Sequence, residues 1–211
     1  MPRLGALILA LALHAGVAHA GAYEDILAGA EHNHTEAVLG LIQLGMDVNT
    51  AAPDGTTLLM TASRNGNLPL VDALLKNRAN HAIRNRHGET ALMYASLQGH
   101  LPVVKRLVEL GGPLENRDGW SALQYAVFSG HVDTARYLLA KDARVDHPAP
   151  NSQTPLMLAA GAGKLDMVKM LIDEQASRKL RDRDGRTAAE IAAAKGHKKI
   201  VEYMALFDRA E

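Results

Sequence analysis

Residues Thr154-Pro155-Leu156-Met157-Leu158-Ala159 set a hydroxyl, a proline and an apolar run four residues ahead of Gly163, and the same frame returns along the chain. It reads TLLMTA from Thr57, TALMYA from Thr90, SALQYA from Ser121 and TAAEIA from Thr187. The hydroxyls stand at Thr57, Thr90, Ser121, Thr154 and Thr187, and the small residue five places on is Ala62, Ala95, Ala126, Ala159 or Ala192. A glycine follows each time, at Gly66, Gly99, Gly130, Gly163 and Gly196. Successive frames are 33, 31, 33 and 33 residues apart, a regularity that marks one stacked unit used repeatedly.

Each recurring residue has a physical task. A Ser or Thr ahead of an apolar run can accept a hydrogen bond from a free N–H in the first helical turn, and Pro155 suits the first helical position, where the missing N–H costs nothing. A glycine at the far end suits a left-handed residue closing that helix. A second helix then opens at Leu68-Pro69, Leu101-Pro102, Val132-Asp133 and Leu165-Asp166. Its apolar residues fall at helical spacing: Val71, Leu74 and Leu75, then Val104, Leu107 and Val108, then Ala135, Leu138 and Leu139, then Val168, Leu171 and Ile172. Helices this short are marginal alone, so each apolar face requires a neighbouring unit to cover it.

The period and the frame resemble the ankyrin repeat, with its T-P-L-H-x-A core, and Asp182-Arg183-Asp184-Gly185-Arg186-Thr187 matches the D-x-x-G-x-T start of such a repeat. The resemblance implies an all-α fold, an ankyrin-repeat solenoid of helix-turn-helix units with finger loops. It divides the chain into repeats at 54-86, 87-117, 118-150 and 151-183, with a C-terminal capping repeat at 184-211. Residues 21-53 share the register through Ile26, Asn33, Val38, Leu41 and Ile42 but lack the hydroxyl, and are expected to form a diverged N-terminal capping repeat. The polar Glu190, Lys195, Lys198, Lys199 and Glu202 suit a last unit with one face in water. The 87-117 repeat is two residues short, and the deletion is expected in the finger just before Trp120.

Residues 1-20 differ. Arg3 precedes an apolar stretch from Leu4 to Leu13, and Ala18-His19-Ala20 fits a small-x-small cleavage site, so a signal peptide cleaved after Ala20 is expected. The compact signal on a cysteine-free repeat protein predicts a bacterial periplasmic location, with no membrane insertion after cleavage. The remaining chain carries 22 basic and 23 acidic residues, which gives no global attraction to nucleic acid or lipid.

Catalytic signatures are missing. The chain has no cysteine nucleophile, no G-x-S-x-G elbow and no H-E-x-x-H helix, and Gly161-Ala162-Gly163-Lys164 lacks the other residues of a phosphate loop. No cofactor and no metal site are expected, and the chain reads as a non-enzyme. His100, His131 and His197 each follow an inter-helix glycine and are expected to bond locally in the turn. Met60, Met93 and Met157 occupy the position where the family usually has His, and are expected to fill the inter-repeat core. His32 and His34 form the one close imidazole pair, the basis of an alternative reading as a metal- or small-ligand-sequestering protein.

The family resemblance implies that partner proteins meet the fingers and the exposed side of the first helices, which together form a concave surface. On that surface Leu97, Trp120 and Phe128, flanked by Arg86 and Arg117, form the candidate contact patch. The alternative is that Trp120 folds back onto its own finger or plugs the space beside the short repeat. The resemblance implies a monomer that binds another protein, with bacterial relatives of this type protecting or regulating envelope enzymes or neutralising toxins.

Overall fold

The computed structural model describes residues 21–116 and 118–208. The expected leader at 1-20 and its cleavage point lie outside the described residues, as does Arg117. The described chain is an all-helical solenoid. A first helix, α1, runs through residues 21–31, followed by α2 (Thr35–Gln43). Five helix pairs follow: α3 (Leu58–Arg64) with α4 (Leu68–Lys76), α5 (Ala91–Gln98) with α6 (Leu101–Glu109), α7 (Ala122–Ser129) with α8 (Val132–Leu139), α9 (Pro155–Gly161) with α10 (Leu165–Asp173), and α11 (Ala188–Ala194) with α12 (Lys198–Asp208).

The recurring hydroxyls cap the first helix of each pair. Thr57, Thr90, Ser121, Thr154 and Thr187 accept from the backbone N–H three residues on, at 3.2 to 3.4 Å. The residue at that third position answers back. Gln124 Oε1 accepts from Ser121 N at 2.9 Å and Glu190 Oε2 from Thr187 N at 2.7 Å, whereas Met60 and Met157 offer only a thioether at 3.4 and 3.5 Å. Met60, Met93 and Met157 are all buried in the core, where the flexible thioether fills space.

First helices pack on first helices and second on second, and the first-helix layer is the more closely packed. Ala62, Ala95, Ala126, Ala159 and Ala192 are completely buried, and their small side chains let neighbouring first helices approach. Closer spacing in one layer curves the stack toward it, so α3, α5, α7, α9 and α11 lie on the concave side.

The glycine-histidine turns tie one unit to the preceding one. Nε2 of His100, His131 and His197 donates to the carbonyls of Arg64, Leu97 and Gly161 at 3.0, 3.0 and 3.2 Å, and Lys164 Nζ takes the same place at the Ser129 carbonyl. The expectation of local bonds is thereby corrected. Each ring reaches back across the interface to a carbonyl at the end of the preceding first helix, where intrahelical donors have run out. Gly66 and Gly99 serve this twice, adopting φ of 69° and 73° and leaving room for the ring; a Cβ there would lie 2.6 or 2.4 Å from the next imidazole.

The two-residue deletion also falls elsewhere than expected. The span from Asn116 to the cap Ser121 equals that from Asn85 to Thr90 and from Ala149 to Thr154, so the finger tip keeps its length. What is missing is the turn after the second helix, present at 48–49, 81–82 and 145–146 but replaced by an untwisted run at 112–116. This shortened run is tied to the next unit by Glu115 Oε1, which accepts from Arg144 N at 2.8 Å, and by the Asn116 carbonyl, which accepts from Nε2 of the buried His147 at 3.0 Å.

Candidate protein-binding face

Two columns of side chains cover the concave face. The fifth residue of each six-residue frame supplies Thr61, Tyr94, Tyr125, Leu158 and Ile191, and the residue three places later supplies Arg64, Leu97, Phe128, Gly161 and Ala194. The i, i+3 spacing puts both columns on one helix face.

Trp120 joins the columns to the fingers. Its ring centroid lies 5.1 Å from that of Phe128 in an edge-to-face arrangement and 5.4 Å from that of Tyr125. Trp120 is half-buried while Phe128 remains 50% exposed. The indole therefore leans inward from its finger onto α7, and the cluster still presents an aromatic surface. The ring contacts of Trp120 are thus with α7, and Phe128 keeps half of its surface exposed.

Beside this cluster lies a polar network. Tyr125 Oη donates to Glu89 Oε1 at 2.7 Å, and Asn85 Nδ2 donates to Glu89 Oε2 at 2.9 Å and to Tyr94 Oη at 3.1 Å. Burial alone would raise the Glu89 pKa, yet the bonds from Asn85, Tyr125 and Tyr94 outweigh it and hold the carboxyl below its ordinary value. Burial, then the bond to Glu89, pushes the Tyr125 phenol up. Arg64 closes the N-terminal side, 5.9 Å above the Tyr94 ring and paired with Glu31 at 2.5 Å.

On the C-terminal side the row of side chains drops away. Gly161 and Ala162 stand between Phe128 and Lys195, leaving a groove of about 490 Å³ lined also by Trp120, Leu158, Ile191 and Arg186. The apolar surface thus continues toward α11, beyond the central repeats where the sequence located it.

Of the five residues singled out from sequence, Trp120 and Phe128 are brought together. Leu97 is half-buried on the same face, its carbonyl bonded by His131, and does not line the groove. Arg86 is exposed at a separate polar depression of about 370 Å³ with Arg84, His87, Asn116 and Asp118. Arg117 is outside the described residues. Tyr94 and Tyr125 were missed, although they are the fifth letters of TALMYA and SALQYA, three residues before Leu97 and Phe128.

Elsewhere, the His32 and His34 rings stack at 5.9 Å at the N-terminal end, and among the described residues no three metal-ligating side chains gather. No helix among the described residues is long and apolar enough to cross a membrane.

A family model for ankyrin repeats matches in three copies, over residues 26–114, 59–149 and 142–210. The chain belongs to the ankyrin-repeat family. It is also similar to Protein glp-1 of Caenorhabditis elegans, 32% identical over 190 residues that cover 82% of this chain. The match spans 15% of that protein's length, so the likeness concerns the repeat region. Ankyrin repeats serve as protein-protein interaction modules, in general as non-enzymatic scaffolds. In this ankyrin domain the first helices form a closely packed inner layer that carries a polar network and an exposed aromatic surface beside a groove.

Proposed function

We propose that this chain is a non-enzymatic binding protein whose concave face, centred on Trp120, Tyr125 and Phe128, holds a partner protein. The observation that carries the reading is the half-exposed Phe128 ring stacked edge-on against Trp120 on the face built by the first helices. Aromatic side chains presented by a rigid scaffold are characteristic interface anchors, since they bury large area at small entropic cost. The leader-like pattern of residues 1-20 supports export to the periplasm, where the mature chain would act as a monomer that protects or regulates an envelope enzyme.

Affinity capture from the native cell envelope tests this, with a photo-crosslinking residue at position 128 or, as control, at Lys141 on the outer layer. A single partner crosslinked from position 128 and not from 141 supports the concave face. Equal crosslinking from both positions, or from neither, overturns it. Export is checked by fractionation and by the mass of the mature N-terminus, expected to begin at Gly21.

A further inference from the structure

The groove beyond the aromatic cluster has a chemical character of its own. Its floor and walls combine Trp120, Phe128, Leu158 and Ile191 with Gln153, Arg186 and Lys195, and no carboxylate lines it. Arg186 is already occupied, at 2.9 Å from Asp182 and 2.6 Å from Asp184. The exposed Lys195 ammonium has no ion-pair partner among the described residues, and the half-buried Gln153 side-chain amide has no hydrogen-bond partner among them. An apolar notch, an amide able both to donate and to accept, and an unpaired cation therefore border one cavity. Its size is within the range of sites that enclose a ligand group.

We propose that this groove takes an acidic segment of the partner: an aromatic or large aliphatic side chain enters the notch at Gly161 and Ala162, the adjoining peptide group pairs with Gln153, and a neighbouring carboxylate meets Lys195. The proposal rests on the concave-face reading and adds the chemistry of the occupant. Charge complementarity favours this occupant: with Arg186 paired to Asp182 and Asp184, Lys195 is the unpaired charge on a lining without carboxylates, and an acidic apolar peptide satisfies all three features together. Trp120 and Phe128 meet at an interplanar angle of 65°, and both border the groove, so an entering ring meets aromatic surface there.

Trp120 is the sole tryptophan, so its emission reports directly on the groove. The probe is the end-blocked hexapeptide Asp-Phe-Glu-Asp-Phe-Glu, compared with its Asn/Gln counterpart and with the version carrying alanine in place of phenylalanine. The acidic aromatic peptide is expected to shift the emission saturably and to bind about tenfold more tightly than either control. Ala162→Leu, at an exposed position that fills the groove, and Lys195→Glu are each expected to weaken it about tenfold with an unchanged melting temperature. Failure to bind, binding of all three peptides within about twofold, or indifference to Ala162→Leu would overturn the proposal. The parent reading is separable from it. If the natural partner is lost on Leu97→Glu yet retained by both Ala162→Leu and Lys195→Glu, the concave face stands and the groove falls; if none of these variants affects capture, both fall.

Discussion

The Tyr125 hydroxyl donates to the Glu89 carboxylate at 2.7 Å, linking α7 to the finger that introduces the preceding helix pair. The bond crosses from one repeat to its neighbour beneath the aromatic cluster, so it holds the concave face in shape. Both residues respond to it, Glu89 titrating below its ordinary range and Tyr125 above its own.

A pH dependence follows. A carboxyl held low in the folded state contributes stability that is fully present above its ordinary value of 4.5 and is lost as pH falls through the lower folded value. Urea unfolding from pH 7 downward is expected to show that loss, and Glu89→Gln to flatten it. For Tyr125, raised first by burial and then by Glu89, the contribution is complete below 10.0 and is lost as pH rises through the folded value. Tyr125→Phe removes that alkaline loss and costs about 1 kcal/mol near neutrality, measured as the shift in urea midpoint at constant slope.

Gly99→Ala tests the inter-repeat histidine. The φ of 73° costs an alanine about 1 kcal/mol, and its Cβ would lie 2.4 Å from the His131 ring, forcing the ring off the Leu97 carbonyl. The sum expected is about 2–3 kcal/mol. Gly185→Ala has a similar φ of 77° with nothing near the added Cβ, so it should lose only the conformational part. Equal losses in thermal or urea unfolding would show that the imidazole contact contributes nothing.

Gln124 differs from the methionines at its equivalent positions. Fully buried, it donates to the His147 and Gln153 carbonyls at 3.0 and 3.2 Å while accepting from Ser121 N. Gln124→Met preserves volume but removes these bonds, and a loss of about 2 kcal/mol is expected in urea unfolding. Hydrogen exchange should rise at residues 147–153 before the rest of the stack responds.

Trp120→Ala and Phe128→Ala separate contact from structure. Each removes an edge-to-face pairing, and Phe128 is half-exposed already, so its loss should lower stability by less than about 1 kcal/mol. Both variants are expected to weaken partner capture at least tenfold while circular dichroism retains the helical content. A large fall in melting temperature for Trp120→Ala, with capture unchanged at lower temperature, would assign Trp120 to packing.

Much of this was legible before any coordinates. Thr57 through Thr187 cap their helices and Gly66 through Gly196 close them because capping and left-handed turns depend on residues three to five apart, which a local reading can see. The histidines after the glycines were visible, but their partners lie 34 to 36 residues away, and nothing local distinguishes a turn bond from one to the neighbouring unit. The deletion was counted correctly and placed too late, since Asn116 to Ser121 has the normal length and only the register of all fingers reveals the lost turn at 112–116.

The sequence by itself determined the repeating unit, its helix ends and the apolar faces that force stacking, because these follow from short-range hydrogen bonding and helical periodicity. The tertiary structure decided how the concave face is used. Trp120 meets Phe128 only when the finger folds onto α7, and Tyr125 meets Glu89 and the gap at Gly161 opens toward Lys195 only when adjacent units stand side by side, since each of these relations joins residues of different elements through packing.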